Sequence, residues 1–174
     1  MFVFSNLAIS LDGKIATETR EPFYLGTPAD RAQMQVLRKR ADVLLMGATT
    51  LRTYKKFCGI RGEKPTHQIA NAILSSRLEG ISPSFPFFEN PEHKRLLFVT
   101  AAPSTAKLRA VGRSSEIIPL TKGRVKGRTP VARQIVSALK KRGFKRLLVE
   151  GGGSLMWDFA SQNLIDEYHV TLTP

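Results

Sequence analysis

Leu147-Leu148-Val149-Glu150-Gly151-Gly152-Gly153-Ser154-Leu155 decides how this chain is built. The opening apolar run has the pattern of a strand buried on both faces of a mainly parallel sheet. From Ser154 onward, Leu155, Met156 and Phe159 recur at helical spacing, so a helix is expected there, fraying around Asn163. Between strand and helix stand three glycines. Each costs backbone entropy, so a triplet points to a turn pressed close to something, for which a pyrophosphate at the helix start is a fitting ligand. The spacing is not the G-x-G-x-x-G dinucleotide fingerprint. Glu150 is the more telling residue, because a carboxylate ending a buried strand is costly unless it hydrogen-bonds a ligand or a partner.

Working outward, Val43-Leu44-Leu45-Met46 and Leu96-Leu97-Phe98-Val99 repeat the buried-strand pattern. Phe2 to Ser10 is a β-prone stretch closed by the Asp12-Gly13 turn signal, and weaker strands are expected at Gln68 to Leu74, Glu116 to Leu120 and Tyr168 to Leu172. Thr27-Pro28-Ala29-Asp30 starts a helix, with Thr27 as cap and Pro28 in the first position. Ala29, Ala32, Val36 and Leu37 form its expected apolar stripe, with Arg31, Arg38, Lys39 and Arg40 elsewhere on the cylinder. A second helix runs from Thr129-Pro130 to Arg142 and stops at Gly143. Gly80 to Pro91, rich in proline and phenylalanine, reads as an irregular surface excursion, and Lys122 to Arg128 as a basic loop. Strands alternating with helices specify an α/β fold: a single domain over residues 1–174 with a mainly parallel twisted sheet and flanking helices.

Composition narrows the function. With 174 residues, 42% hydrophobic and 24% charged, the chain can bury a real core, which argues against disorder and fibrous repeats. No apolar run reaches the roughly 18 residues of a membrane span and no signal peptide opens the chain, so a cytoplasmic setting without membrane contact is expected. Cys58 is the only cysteine and the three histidines lack ligand spacing, so no metal is expected. The net charge of +13 favours an anionic ligand, and the window from Lys94 to Arg146 holds fifteen Lys or Arg against one acid, Glu116. Solvated helix faces would account for the same excess. A nucleic-acid face would need stacking aromatics, and that window offers only Phe98 and Phe144, both read as core.

Ligands in open parallel sheets bind at the carboxyl ends of the strands. Three such ends carry chemistry: Asn6 through Lys14, with an amide, a carboxylate and an ammonium; Gly47-Ala48-Thr49-Thr50, small and hydroxylated; and Glu150 through Leu155. Taken singly, the first could be an ordinary turn with a solvated lysine and the second plain helix capping by Thr49 or Thr50.

Together and in order, these segments resemble the reductase domain of the riboflavin-pathway deaminase/reductase family, whose fold is like dihydrofolate reductase. The resemblance rests on Asn6-x-Ala8-x-Ser10-Leu11-Asp12-Gly13-Lys14-Ile15-Ala16, Leu37-Arg38 with Ala41-Asp42, Gly47-x-x-Thr50, Glu150-Gly151-Gly152-Gly153-x-Leu155 and Leu164-Ile165-Asp166-Glu167, and it covers nearly the whole chain. It implies NADPH-dependent reduction of 5-amino-6-(5-phosphoribosylamino)uracil, with hydride reaching C1′ of the ribose. On that resemblance Asp12, Lys14 and Glu150 are the catalytic residues. Asn6, Arg38, Arg61 and Glu150 bind the phosphorylated substrate, Arg61 suiting the phosphate by its forked donors. Ala8, Tyr24, Gly47, Thr50, Tyr54, Ser76, Gly151, Gly152, Gly153, Ser154 and Leu155 line the cofactor, with Ser76 and Arg77 near the 2′-phosphate.

Two stretches depart from the family. Thr53-Tyr54-Lys55-Lys56 replaces its Asp-Asp-Pro, and Pro22-Phe23-Tyr24 replaces its Ser-x-Trp. Both fall on the substrate or nicotinamide side, which leaves open another pterin or pyrimidine substrate, or a catalytically silent relative. The zinc deaminase signature H-x-E with P-C-x-x-C is absent from the sequence, so deamination is not expected. The family usually continues with antiparallel strands beyond the position of Pro174, so a short C-terminal side, or one completed across a homodimer, is the expectation here.

Overall fold

The structure is a computed structural model and describes residues 1–18, 25–121 and 129–173. Among these described residues seven strands run as β1 (Phe2–Ser10), β2 (Val43–Gly47), β3 (Ala70–Ser75), β4 (Arg95–Val99), β5 (Glu116–Pro119), β6 (Arg146–Val149) and β7 (Glu167–Thr173). Five helices connect them: α1 (Pro28–Arg40), α2 (Ala48–Tyr54), α3 (Thr105–Gly112), α4 (Val131–Lys141) and α5 (Gly153–Ala160). The strands form one sheet in the order β5-β4-β3-β2-β6-β1-β7, and every neighbouring pair is parallel. Parallel neighbours require crossovers, which is why helices cover both faces and why the apolar runs are unbroken.

The period of two along each strand divides the core. Phe4, Leu44, Met46, Ile73, Leu97 and Leu148 face α1, α2 and α3. Val3, Val43, Leu45, Phe98, Leu147 and Val149 face α4 and α5. Carboxylates set the register at the other end of the sheet. Asp42 Oδ2 accepts from the backbone N–H groups of Lys145 and Arg146, both at 2.8 Å, which ties the start of β2 to the start of β6. Asp166 Oδ2 accepts from the Val3 N–H at 2.7 Å and does the same for β1.

Thr27 caps α1 by accepting from the Asp30 N–H, with Pro28 in its first turn. The stripe expected on that helix does not form, because Ala29, Ala32 and Val36 are exposed and only Leu37 and Arg38 are buried. The helix meets the sheet along a narrow edge, and its inward position is occupied by a charged residue with a partner. Gly80 to Pro91 is likewise no surface excursion: Ile81, Phe87 and Phe88 lie in the core. The cause is Arg95, itself buried, whose guanidinium donates to the carbonyls of Phe87, Asn90, His93 and Ser114 and so draws the loop inward. Capping of α2 also differs, since Gly47 stands at its N-cap and no side chain supplies a cap bond. The expected basic loop Lys122 to Arg128, the Pro22-Phe23-Tyr24 stretch and Pro174 lie outside the described residues.

Candidate active site

The carboxyl ends of β1, β2 and β6 adjoin in the middle of the sheet, and three of the segments singled out by sequence meet there. Gly47 ends β2 and donates its N–H to the Gly151 carbonyl at 2.8 Å, while the Glu150 N–H donates to the Leu45 carbonyl at 3.0 Å. The glycine turn is thereby laced to the neighbouring strand. Gly151 holds φ at +98°, a conformation that side chains oppose. Gly152 caps α5 without a side-chain bond, so no capping side chain hydrogen-bonds the first-turn amides of that helix. A Cβ on Gly152 would lie 3.6 Å from Thr50 Oγ1, and one on Gly153 would lie 3.3 Å from Ile15 Cδ1. The turn is therefore a backbone cradle walled by Thr50 and Ile15. Leu155 takes no part in that wall with its side chain, which is buried among the core residues beneath α5.

Beside the cradle, on the α1 face, Glu150 meets Arg38. Arg38 Nε donates to Oε1 at 2.8 Å and Nη2 to Oε2 at 2.7 Å, and Nη1 reaches the Gly59 carbonyl at 3.2 Å. Burial alone would lower the arginine's pKa, but the hydrogen bonds and charge of Glu150 outweigh it and hold it raised. Arg38 is thus a fixed cation, and Glu150 spends one lone pair per oxygen on it and keeps others for a ligand. Cys58 lies in the same corner. Burial first, then the Glu150 charge, push its thiol up to about 12, so it stays protonated.

The other predicted residues are spread around this centre. Strand alternation places Asn6 and Ala8 on the Phe4 side of β1, the face that Glu150 shares with Leu148. Asp12 and Lys14 form an exposed ion pair on the turn after β1, with the Ser10 hydroxyl donating to Asp12. Lys14, then Ser10, hold the Asp12 carboxyl below the usual carboxylate range by donating to it. Arg61 is exposed, and its backbone N–H donates to Gln35 Oε1 at 2.8 Å, one helical turn from Arg38. Tyr54 ends α2, Ser76 is exposed just after β3, Ser154 is exposed on the first turn of α5, and Tyr24 lies outside the described residues. Gln35, Gln68 and Asn71, whose carboxamides hold the segment around Arg61, have no signature in the sequence beyond an amide three residues before Arg38.

The sequence pattern of the RibD C-terminal domain matches residues 1–174. The chain belongs to the RibD C-terminal domain family. It is 29% identical over 184 residues to the 2,5-diamino-6-ribosylamino-4(3H)-pyrimidinone 5′-phosphate reductase of Archaeoglobus fulgidus, an alignment covering 99% of this chain and 80% of that protein. To the riboflavin biosynthesis protein RibD of Bacillus amyloliquefaciens it is 27% identical, over 99% of this chain and 45% of the relative. Among solved structures, RibD of Acinetobacter baumannii superposes with a TM-score of 0.77 at 22% identity, over 99% of this chain and 46% of that one. This RibD-family domain therefore spans about half the length of the two RibD proteins and most of the archaeal reductase, and its fold is the RibD reductase fold anticipated from the sequence.

Proposed function

We propose that this RibD-family domain is an NADPH-dependent reductase of a ribosylaminopyrimidine 5′-phosphate. The observation that carries the reading is the juxtaposition of the glycine cradle with the Arg38–Glu150 pair: a backbone site for phosphates directly beside a polar site that offers both a cation and a carboxylate. The cradle fits a dinucleotide, because side-chain atoms on Gly152 or Gly153 would fill it and the amides that open α5 are uncapped. Thr50 and Gly151 to Gly153 would hold the diphosphate, and Ser76 would lie toward the adenosine side. When bound, NADPH supplies the hydride that reduces C1′ of the ribose.

The chain's own groups do the rest. Glu150 accepts hydrogen bonds from the pyrimidine's amino or ring N–H groups, and Arg38 keeps that carboxylate aimed by its two-pronged hydrogen bond. Arg61 grips the 5′-phosphate. Lys14 delivers a proton to the ring oxygen as the ribose opens to the ribityl chain, and Asp12 orients the ammonium through their ion pair. Arg61→Ala should raise the substrate KM more than it lowers kcat, as loss of binding shared by ground and transition states does.

Two substrates suit this site, differing in whether the pyrimidine carries a 2-amino or a 2-oxo group. The match to the archaeal reductase, over 99% of this chain and 80% of that protein, favours the diamino-pyrimidinone phosphate, while the riboflavin-pathway resemblance favours 5-amino-6-(5-phosphoribosylamino)uracil. Purified protein is given NADPH and each compound in turn, and oxidation is followed by absorbance. Consumption with one alone assigns the substrate; binding of NADPH with consumption of neither overturns the reductase reading.

A further inference from the structure

Residues 55–64 run from the end of α2 to the turn at Pro65–His67 without joining a strand or helix. Even so, they are held on both sides by side chains that imitate a neighbouring strand. Asn71, wholly buried on β3, accepts from the Cys58 N–H at 2.9 Å and donates to the Cys58 carbonyl at 3.0 Å. Gln68 treats Ile60 in the same way, at 2.6 and 2.9 Å, and donates at 2.8 Å to the Glu63 carbonyl. Gln35 on α1 takes the Arg61 N–H at 2.8 Å.

The arrangement is more than surface tidying. Water would satisfy the amides of an exposed segment without fixing its path, whereas these carboxamides hold Cys58, Ile60 and Arg61 in one geometry. One residue in this span touches the candidate site, Gly59, whose carbonyl braces Arg38, and another, Arg61, which the proposed function sets against the phosphate, has a guanidinium with no hydrogen bond or ion pair among the described residues. Gln35 lies one turn before Arg38 on the same helix, so the segment is referenced to the helix that carries the ion pair.

We infer that Gln35, Gln68 and Asn71 are positioning residues. They set Arg61 and the Gly59 carbonyl at fixed places relative to Arg38 and Glu150, so that the ordering cost of a free loop is met on folding and not on binding the phosphorylated end of the substrate. The identity of that ligand rests on the proposed function; the clamp itself rests on the hydrogen bonds.

The test uses Gln68→Met and Gln35→Met, neither residue being fully buried. At saturating NADPH, Gln68→Met should raise the KM for the phosphorylated pyrimidine about tenfold with kcat within about twofold, as expected for binding lost equally from ground and transition states. The NADPH Kd, read by fluorescence titration, should stay unchanged, and hydrogen exchange at the Ile60 and Arg61 amides should accelerate. Gln68→Glu keeps the acceptor for Ile60 but turns a carboxylate oxygen against the Ile60 and Glu63 carbonyls, so its substrate KM should rise at least as far as that of Gln68→Met. Faster exchange with an unchanged substrate KM would overturn the inference, and so would parallel rises in the substrate KM and the NADPH Kd. If the wild-type protein reduces neither pyrimidine, the functional reading fails separately. Calorimetry with ribose 5-phosphate then decides: weaker binding by Gln68→Met than by wild type upholds the clamp, and equal binding or none by either overturns it.

Discussion

Arg38 and Glu150, 112 residues apart in sequence, close a two-pronged ion pair with only 10% and 11% of their side chains exposed. A pair so enclosed is costly to leave half made. Removing one partner of a buried pair costs about 3–5 kcal/mol, whereas replacing both with apolar groups can be nearly neutral. Arg38→Met and Glu150→Leu should therefore each lower stability by about that amount, and the double variant should recover most of it. Urea denaturation of the four proteins measures the coupling. Additive losses would mean that the two charges stabilise the fold independently.

Glycine is required at one position of the cradle and not at another. Gly151→Ala forces a side chain onto a φ of +98° and should cost about 1–3 kcal/mol while weakening NADPH binding at least tenfold. Gly47→Ala places its Cβ 3.6 Å from the Gly152 nitrogen, an ordinary contact, and should melt close to wild type. Thermal melts and a fluorescence titration with NADPH separate the two, and equal destabilisation would disprove the distinction.

Lys14→Ala should leave NADPH affinity nearly intact and reduce turnover. It should also alter the acid side of the pH profile. Lys14 is the largest cause of the lowered Asp12 pKa, so its loss returns Asp12 toward 3.8. In the wild-type protein an ionised Asp12 is present above its lowered pKa and lost below it, so kcat/KM should fall as pH drops through that value, and in the variant, where Asp12 has no ammonium to orient, that acid limb should disappear. An acid limb unchanged in the variant would detach Asp12 from the reaction.

Asp42 offers a stability test away from the site. Burial alone would raise its pKa, but the N–H groups of Lys145 and Arg146 outweigh that and lower it. Because the folded pKa lies below the unfolded one, its contribution is complete above the ordinary carboxylate range and disappears as pH falls through the lowered value. Asp42→Ala should cost about 1–2 kcal/mol at pH 7, and melts recorded down to about pH 2 should show the gap from wild type closing. A gap independent of pH would mean that packing, not the carboxylate, ties β2 to β6.

Legibility in the sequence followed the physics of each feature. Runs such as Leu44-Leu45-Met46 and Leu147-Leu148-Val149 announced themselves because strands covered on both faces have no polar positions to interrupt them. The triple glycine was readable because nothing else explains its entropic cost. Glu150 was flagged as needing a partner, yet its pairing with Arg38 was hidden, since an ion pair across 112 residues leaves no spacing to read. Val36 misled because apolar periodicity does not say how closely a helix approaches its sheet. The prolines of Gly80 to Pro91 suggested surface, while the arginine that draws the loop in sits at the head of a strand that reads as wholly apolar from Leu96 onward. Helix α3 buries only Val111, too little for a pattern. Carboxamides such as Asn71 have no sequence signature, being recognised only by the backbone they meet.

The place of β1 in the sheet has a consequence for biosynthesis. Strand β1 pairs with Arg146–Val149 on one side and Glu167–Thr173 on the other, both far downstream of it in sequence. Until β6 and β7 have been made, Phe2 to Ser10 has neither of its neighbours to lie against and waits as an apolar, unpaired segment. Such distant pairing makes assembly slow and leaves that segment open to wrong partners meanwhile. Whatever keeps Phe2 to Ser10 from wrong partners until β6 and β7 are made therefore favours correct assembly of the sheet.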